Sequence, residues 1–156
     1  MALDERDLAH LTRCVDLAEE AVDAGDEPFG SLLVSAAGEV LVEDRNRVGG
    51  GDGTAHPELT LARWAGAHLP VDERARATAC TSGEHCPMCA AAHGWVGLGR
   101  IVVATTTEQL QQWRGPRASP VAPLPISAVL PDAVVDGPAP QLADRVRAPH
   151  HRSWRG

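Results

Sequence analysis

The sequence predicts an α/β fold, and three observations carry the prediction. An amphipathic helix opens the chain. Two short apolar runs then flank a turn, as in a hairpin. From there helices alternate with apolar strands, the pattern of parallel crossovers.

Taken in order, the first helix covers residues 4 to 24. Leu8, Leu11, Val15, Ala18 and Val22 recur at spacings of three and four and share one face. Asp4, Glu5 and Asp7 suit the positive N-terminal end of its dipole, and Gly25 suits its stop. Asp26 to Gly30 reads as a connector. Ser31–Ser35 and Glu39–Glu43 read as strands around the turn Ala36-Ala37-Gly38. Asn46 to Thr54 is Gly-rich and reads as a loop, and without a following Lys-Ser/Thr it is no phosphate loop. A second helix is expected from Pro57 to about Leu69, then the end of a short buried strand at Thr78–Thr81. Cys86 opens another helix that runs to about Trp95 and stops before Gly97. Arg100–Ala104 is the clearest strand. A short helix follows at Glu108–Trp113, a strand at Ile126–Leu130 within the Pro-rich residues 115–140, and a helical turn or two at Gln141–Arg147. The length predicts one domain over 1–156, with its core at about 5–131 and a Pro-rich C-terminal segment at about 115–156.

Composition excludes several chemistries. All 14 basic residues are Arg, so no lysine can form a Schiff base or serve a phosphate loop. A net charge of −7 argues against a broad nucleic-acid face, so nucleic acid is not an expected partner. Arg145, Arg147, His150, His151, Arg152 and Arg155 form a basic tail, read as solvated in preference to an RNA contact. The charged N-terminus is unlike a signal peptide, and no apolar run reaches membrane-spanning length, so a cytoplasmic location is expected.

Of the four cysteines only Cys86 and Cys89 form a close pair. Pro87 fits the first position of a helix, and Cys89 then lies one turn along on the same face. Alone, the pair reads equally as a redox dithiol or half of a structural metal site. His56-Pro57-Glu58 alone reads as a helix cap. Inside a helix, positions i and i+2 point about 200° apart, so His56 and Glu58 converge only if His56 precedes the first turn, and Pro57 marks that start. Set together, one imidazole and two thiolates supply three ligands to a Zn²⁺ ion and leave a fourth tetrahedral position for water. Glu58 then stands as general base, moving a proton from water to substrate. Cys14 and Cys80 read as buried small apolar residues.

These residues resemble the zinc-dependent cytidine-deaminase-like superfamily, whose signature is H-x-E followed by P-C-x-x-C. Pro28-Phe29-Gly30 before a strand, Asn46 after the second strand, and Cys86-Pro87-Met88-Cys89 followed by Trp95 are similar to its guanine-deaminase and tRNA-adenosine-deaminase branch. The resemblance implies a three-layer α/β/α sandwich around a mixed five-stranded sheet, a homodimer, and zinc held by His56, Cys86 and Cys89 with Glu58 catalytic. It implies Asn46 as a hydrogen-bonding partner of the base and Phe29 and Trp95 as pocket walls. Ala55, His93 and Glu84 are further candidate substrate contacts, with a satisfied core histidine and a capping carboxylate as the other readings of His93 and Glu84. His85, Pro57 and the pair His93-Gly94 depart from the branch pattern and bear on specificity.

The expected activity is zinc-dependent hydrolytic deamination of a free nucleobase or related amino-heterocycle of guanine, cytosine or amino-triazine type. The alternatives are a nucleoside deaminase, then a tRNA adenosine deaminase or a non-catalytic zinc-binding module.

Overall fold

The structure, a computed structural model, describes residues 2–155, the side chain of Arg155 excepted. Helix α1 (Glu5–Asp23) begins at Asp4, whose carboxylate accepts the Asp7 N–H at 2.8 Å while Asp7 accepts the Asp4 N–H at 3.1 Å. This reciprocal cap satisfies backbone donors that a helix start leaves open. Strands β1 (Gly30–Val34) and β2 (Val40–Arg45) pair antiparallel around the expected turn. Helix α2 (Pro57–His68) leads through α3 (Val71–Arg76) to β3 (Thr78–Gly83). Then come α4 (Pro87–Val96), β4 (Ile101–Thr105), α5 (Thr107–Arg114), α6 (Ile126–Val129), β5 (Val135–Asp136) and α7 (Ala143–Arg155).

The sheet order is β2-β1-β3-β4-β5. β1 is antiparallel to both β2 and β3, whereas β3, β4 and β5 run parallel. Alternate strand residues face opposite layers. Leu32, Cys80, Val102 and Ala104 pack against Leu11 and Val15 of α1 and Val146 of α7. On the other face, Leu33 and Ala79 meet Leu61 and Ala65 of α2, and Ile101 and Val103 meet Ala90 of α4 and Ile126 of α6. The result is the expected three-layer sandwich around a mixed five-stranded sheet. Gly30 is what lets α1 lie so close, since a Cβ there would stand 2.3 Å from the Cys14 carbonyl oxygen.

Three expectations are corrected. Ile126–Leu130 is not a strand; Ile126–Val129 forms a helical turn after Pro125, its first N–H donating to the Glu84 carboxylate. The fifth strand is Val135–Asp136, pinned by the ion pair between Arg100 and Asp136. The last helix does not end at Arg147 but runs through Pro149, docked on α1 by Arg145 with Asp16 and Glu19 and by Arg152 with Asp23. Helix α3 is an addition that no periodicity announced. No described helix is long and apolar enough to cross a membrane.

Candidate active site

Two helix starts converge on one point. His56 is the N-cap of α2 with an extended backbone (φ −94°, ψ 140°), and Pro57 takes the first helical position. Cys86 is the N-cap of α4 (φ −69°, ψ 167°), followed by Pro87. Packing of α2 against α4 brings the two together. His56 Nδ1 stands 3.5 Å from Cys86 Sγ and 3.6 Å from Cys89 Sγ, and all three donor atoms lie within 4.8 Å of one another. In a tetrahedral zinc site with Zn–S of about 2.3 Å and Zn–N of about 2.0–2.1 Å, nitrogen and sulfur stand about 3.6 Å apart. The donor set, its spacing and its depth fit zinc.

The protonation chemistry agrees. The contact with Cys89, then that with His56, holds the Cys86 thiol down to about 4 against its burial. Cys86 in turn pushes Cys89 up, with burial adding to it, and also raises the His56 imidazole. Three donors crowded together compete for protons, and a dication releases that competition by taking every lone pair. By contrast, burial above all, with neighbouring negative groups adding to it, drives up Cys14 and Cys80, the latter to about 12, which makes them inert packing groups.

Glu58 occupies the second position of α2 and is buried. Its Oε1 accepts hydrogen bonds from Ser31 Oγ at 3.1 Å and Thr81 Oγ1 at 2.8 Å, and among the described residues no side chain donates to Oε2. Burial raises its pKa, while its own backbone N–H, then Thr81, His56 and Ser31, pull it back. Burial favours the protonated form and the hydrogen bonds favour the carboxylate, the opposition that suits a group taking and giving a proton.

A profile of the cytidine and deoxycytidylate deaminase zinc-binding region matches residues 4–105, which contain every one of these groups. The chain belongs to that deaminase family. It is 30% identical to a probable cytosine deaminase of Schizosaccharomyces pombe, over 99% of this chain and 96% of the relative. It is 40% identical to the guanine deaminase of Bacillus subtilis over 54% of this chain and 55% of that protein. A solved guanine deaminase from Nitrosomonas europaea has the same fold, with a TM-score of 0.72 at 21% identity, covering 100% of this chain and 88% of that one.

The substrate contacts expected for this deaminase divide. Asn46 is buried, its Oδ1 accepting the N–H groups of Glu27 (3.2 Å) and Val48 (3.0 Å), and its Nδ2 has no partner among the described residues. Phe29 lies against Gly83, and the His150 ring meets it edge-on at 5.1 Å. Ala55 ties two loop segments, accepting the Arg47 N–H at 3.0 Å and donating to Asp52.

The other three are corrected. Trp95 is 90% exposed near the far end of α4, because its position in the helical turn faces away from the sheet. His93 does sit one turn past Cys89, but its Nε2 lies 2.8 Å from the Gly99 carbonyl and its ring packs edge-on against His85, which makes it a core histidine. Glu84 has both oxygens engaged, accepting the N–H of Thr107 at 2.8 Å and of Ile126 at 2.7 Å. It caps α5 and α6 and has no oxygen turned to a substrate. Sequence reasoning missed Ser31 and Thr81. The available signal was a hydroxyl in each of two strands at the alternate position shared with Leu33 and Ala79.

Proposed function

We propose that this deaminase hydrolyses the exocyclic amine of a free nucleobase or a close amino-heterocycle, releasing ammonia. One observation carries the reading. A buried carboxyl with one oxygen that takes no side-chain hydrogen bond among the described residues, Glu58, stands at the same helix start as His56 of the His56–Cys86–Cys89 cluster. A purely structural metal site has no use for such a base. Zinc held by these three residues supplies an acidified water and Lewis-acid polarisation. Glu58 takes a proton from the attacking water and delivers it to a ring nitrogen, then takes the remaining hydroxyl proton and delivers it to the leaving amine. The N–H groups at the start of α4 favour the developing negative charge. Asn46 Nδ2 donates to a ring carbonyl or nitrogen, and Phe29 packs on the ring face. Ala55 holds the loop that carries Asn46 beside His56.

A free base is favoured over a nucleoside because the relative matched over nearly its whole length is named for cytosine, and the second for guanine. We read the chain as a single deaminase domain, acting in the cytoplasm as a homodimer without nucleic acid. The free cysteines suit that compartment. An ammonia-release screen with zinc-loaded protein tests the reading across guanine, cytosine, an aminotriazine, guanosine, cytidine and adenosine. Turnover of a base but not of its nucleoside is the expected result. Turnover confined to nucleosides, or none at all, overturns it.

A further inference from the structure

We propose that Ser31 and Thr81 are positioning residues that clamp Oε1 of Glu58 and thereby dedicate Oε2 to proton transfer. The proposal rests on the deaminase reading above. Both side chains are fully buried, at 0% exposure. They stand directly opposite each other across the β1–β3 pair, on the face covered by α2. Their hydroxyl oxygens are 3.0 Å apart, and both contact the same carboxylate oxygen. The central sheet therefore grips the first turn of α2 at the one side chain that must be aimed.

The arrangement has a further property. Each hydroxyl carries a single hydrogen. Thr81 Oγ1 lies 2.8 Å from Glu58 Oε1 and also 2.8 Å from the Gly83 carbonyl oxygen. While Glu58 is a carboxylate, both hydroxyls donate to Oε1. When Oε2 accepts a proton from water, Oε1 becomes the carbonyl oxygen of an acid and a weaker acceptor. The Thr81 hydroxyl then turns to Gly83, and Ser31 keeps its bond to Oε1. The proton count balances: one proton arrives at Oε2 from water and leaves from Oε2 to the substrate, while the hydroxyl hydrogens only rotate. No heavy atom moves. The terminal torsion of a glutamate is otherwise broad and nearly two-fold. Two donors on one oxygen remove that freedom in the carboxylate, and Ser31 alone holds Oε1 once Oε2 carries the proton. Both hydroxyls are buried behind Glu58, so they act on the substrate only through it.

The test compares zinc-loaded wild type with Ser31→Ala, Thr81→Val and the conservative Thr81→Ser, on whichever of guanine or cytosine the wild type turns over. A misaimed catalytic group costs up to about 100-fold in rate. The clamp predicts that kcat falls at least about 10-fold in Ser31→Ala and Thr81→Val, while KM changes less than about twofold and zinc stoichiometry is kept. Thr81→Ser restores most of kcat. Unchanged kcat, a rise in KM alone, or a Thr81→Ser as impaired as Thr81→Val overturns the proposal. A second measurement needs no turnover. In urea unfolding, Thr81→Val lowers the midpoint less in a Glu58→Met background than in wild type, because a thioether in place of the carboxylate offers no strong acceptor. Equal drops in both backgrounds overturn the clamp. If wild type deaminates no base, the proposed function fails by itself and the unfolding cycle still decides the clamp.

Discussion

Arg100 grips Asp7 with two guanidinium N–H bonds of 2.7 and 2.9 Å across 93 residues of sequence, tying the first turn of α1 to the start of β4. The same arginine holds Asp136 at 2.7 Å, so one side chain joins a helix and two parallel strands.

A stability prediction follows from that pair. The Asp7 carboxylate is nearly buried and Arg100 holds its pKa below the usual range, overcoming its desolvation. A depressed folded-state pKa contributes stability above the unfolded value, about 3.9, and loses it as pH falls through the folded value. Asp7→Asn is expected to cost about 2 kcal/mol at pH 7 by urea unfolding. Below about pH 4 the gap between wild type and variant narrows, since wild type alone loses this contribution. A pH-independent gap contradicts the assignment.

Glu58→Ala is expected to lower kcat by about 10³-fold or more while the metal stays bound, as general acid–base groups contribute about 10²–10⁴-fold and this one serves several steps. Ammonia release and atomic absorption on the same sample check it. Full turnover in the variant removes Glu58 from the mechanism.

Removing the metal should loosen the junction of α2 and α4. At zinc about 100-fold above its dissociation constant, linkage supplies about 2.7 kcal/mol. For a chain of this length that corresponds to a fall in Tm of about 5–10 °C on chelation. Cys89→Ser should show the lower Tm and no further fall with chelator. Wild-type Tm that ignores the chelator excludes the cluster as a metal site.

Glu84→Gln should act on folding and not on substrate. Its two oxygens accept N–H groups at two helix starts, where a negative charge is worth most. The expected loss is about 1–2 kcal/mol in unfolding free energy, with KM unchanged. A large rise in KM returns Glu84 to the substrate pocket.

The metal cluster and the place of Glu58 beside it were legible because local rules set them. Pro57 and Pro87 each mark a helix start, and the ligand just before each proline is the N-cap. Asp4 and the spacing of Leu11, Val15 and Ala18 likewise announced α1. What could not be read depends on distant partners. The run at Ile126 is too short for its period to separate strand from helix, and the Glu84 carboxylate decides the matter. Val135–Asp136 is a strand only because Ile101 and Val102 lie beside it. Pro149 signals a helix end, yet ion pairs to α1 carry α7 through it. Trp95 and His93 sit on one helix two residues apart, and only the tertiary packing says which of them turns outward.

Asn46 and Phe29 belong to the connectors that follow β2 and precede β1, whereas His56, Glu58, Cys86 and Cys89 belong to the first turns of α2 and α4. On the proposed reading, reactivity and selectivity are thereby mounted on separate parts of the chain. A scaffold divided in this way can be retargeted from one ring to another by editing its loops, and directed evolution for a new amino-heterocycle should accumulate its changes there first.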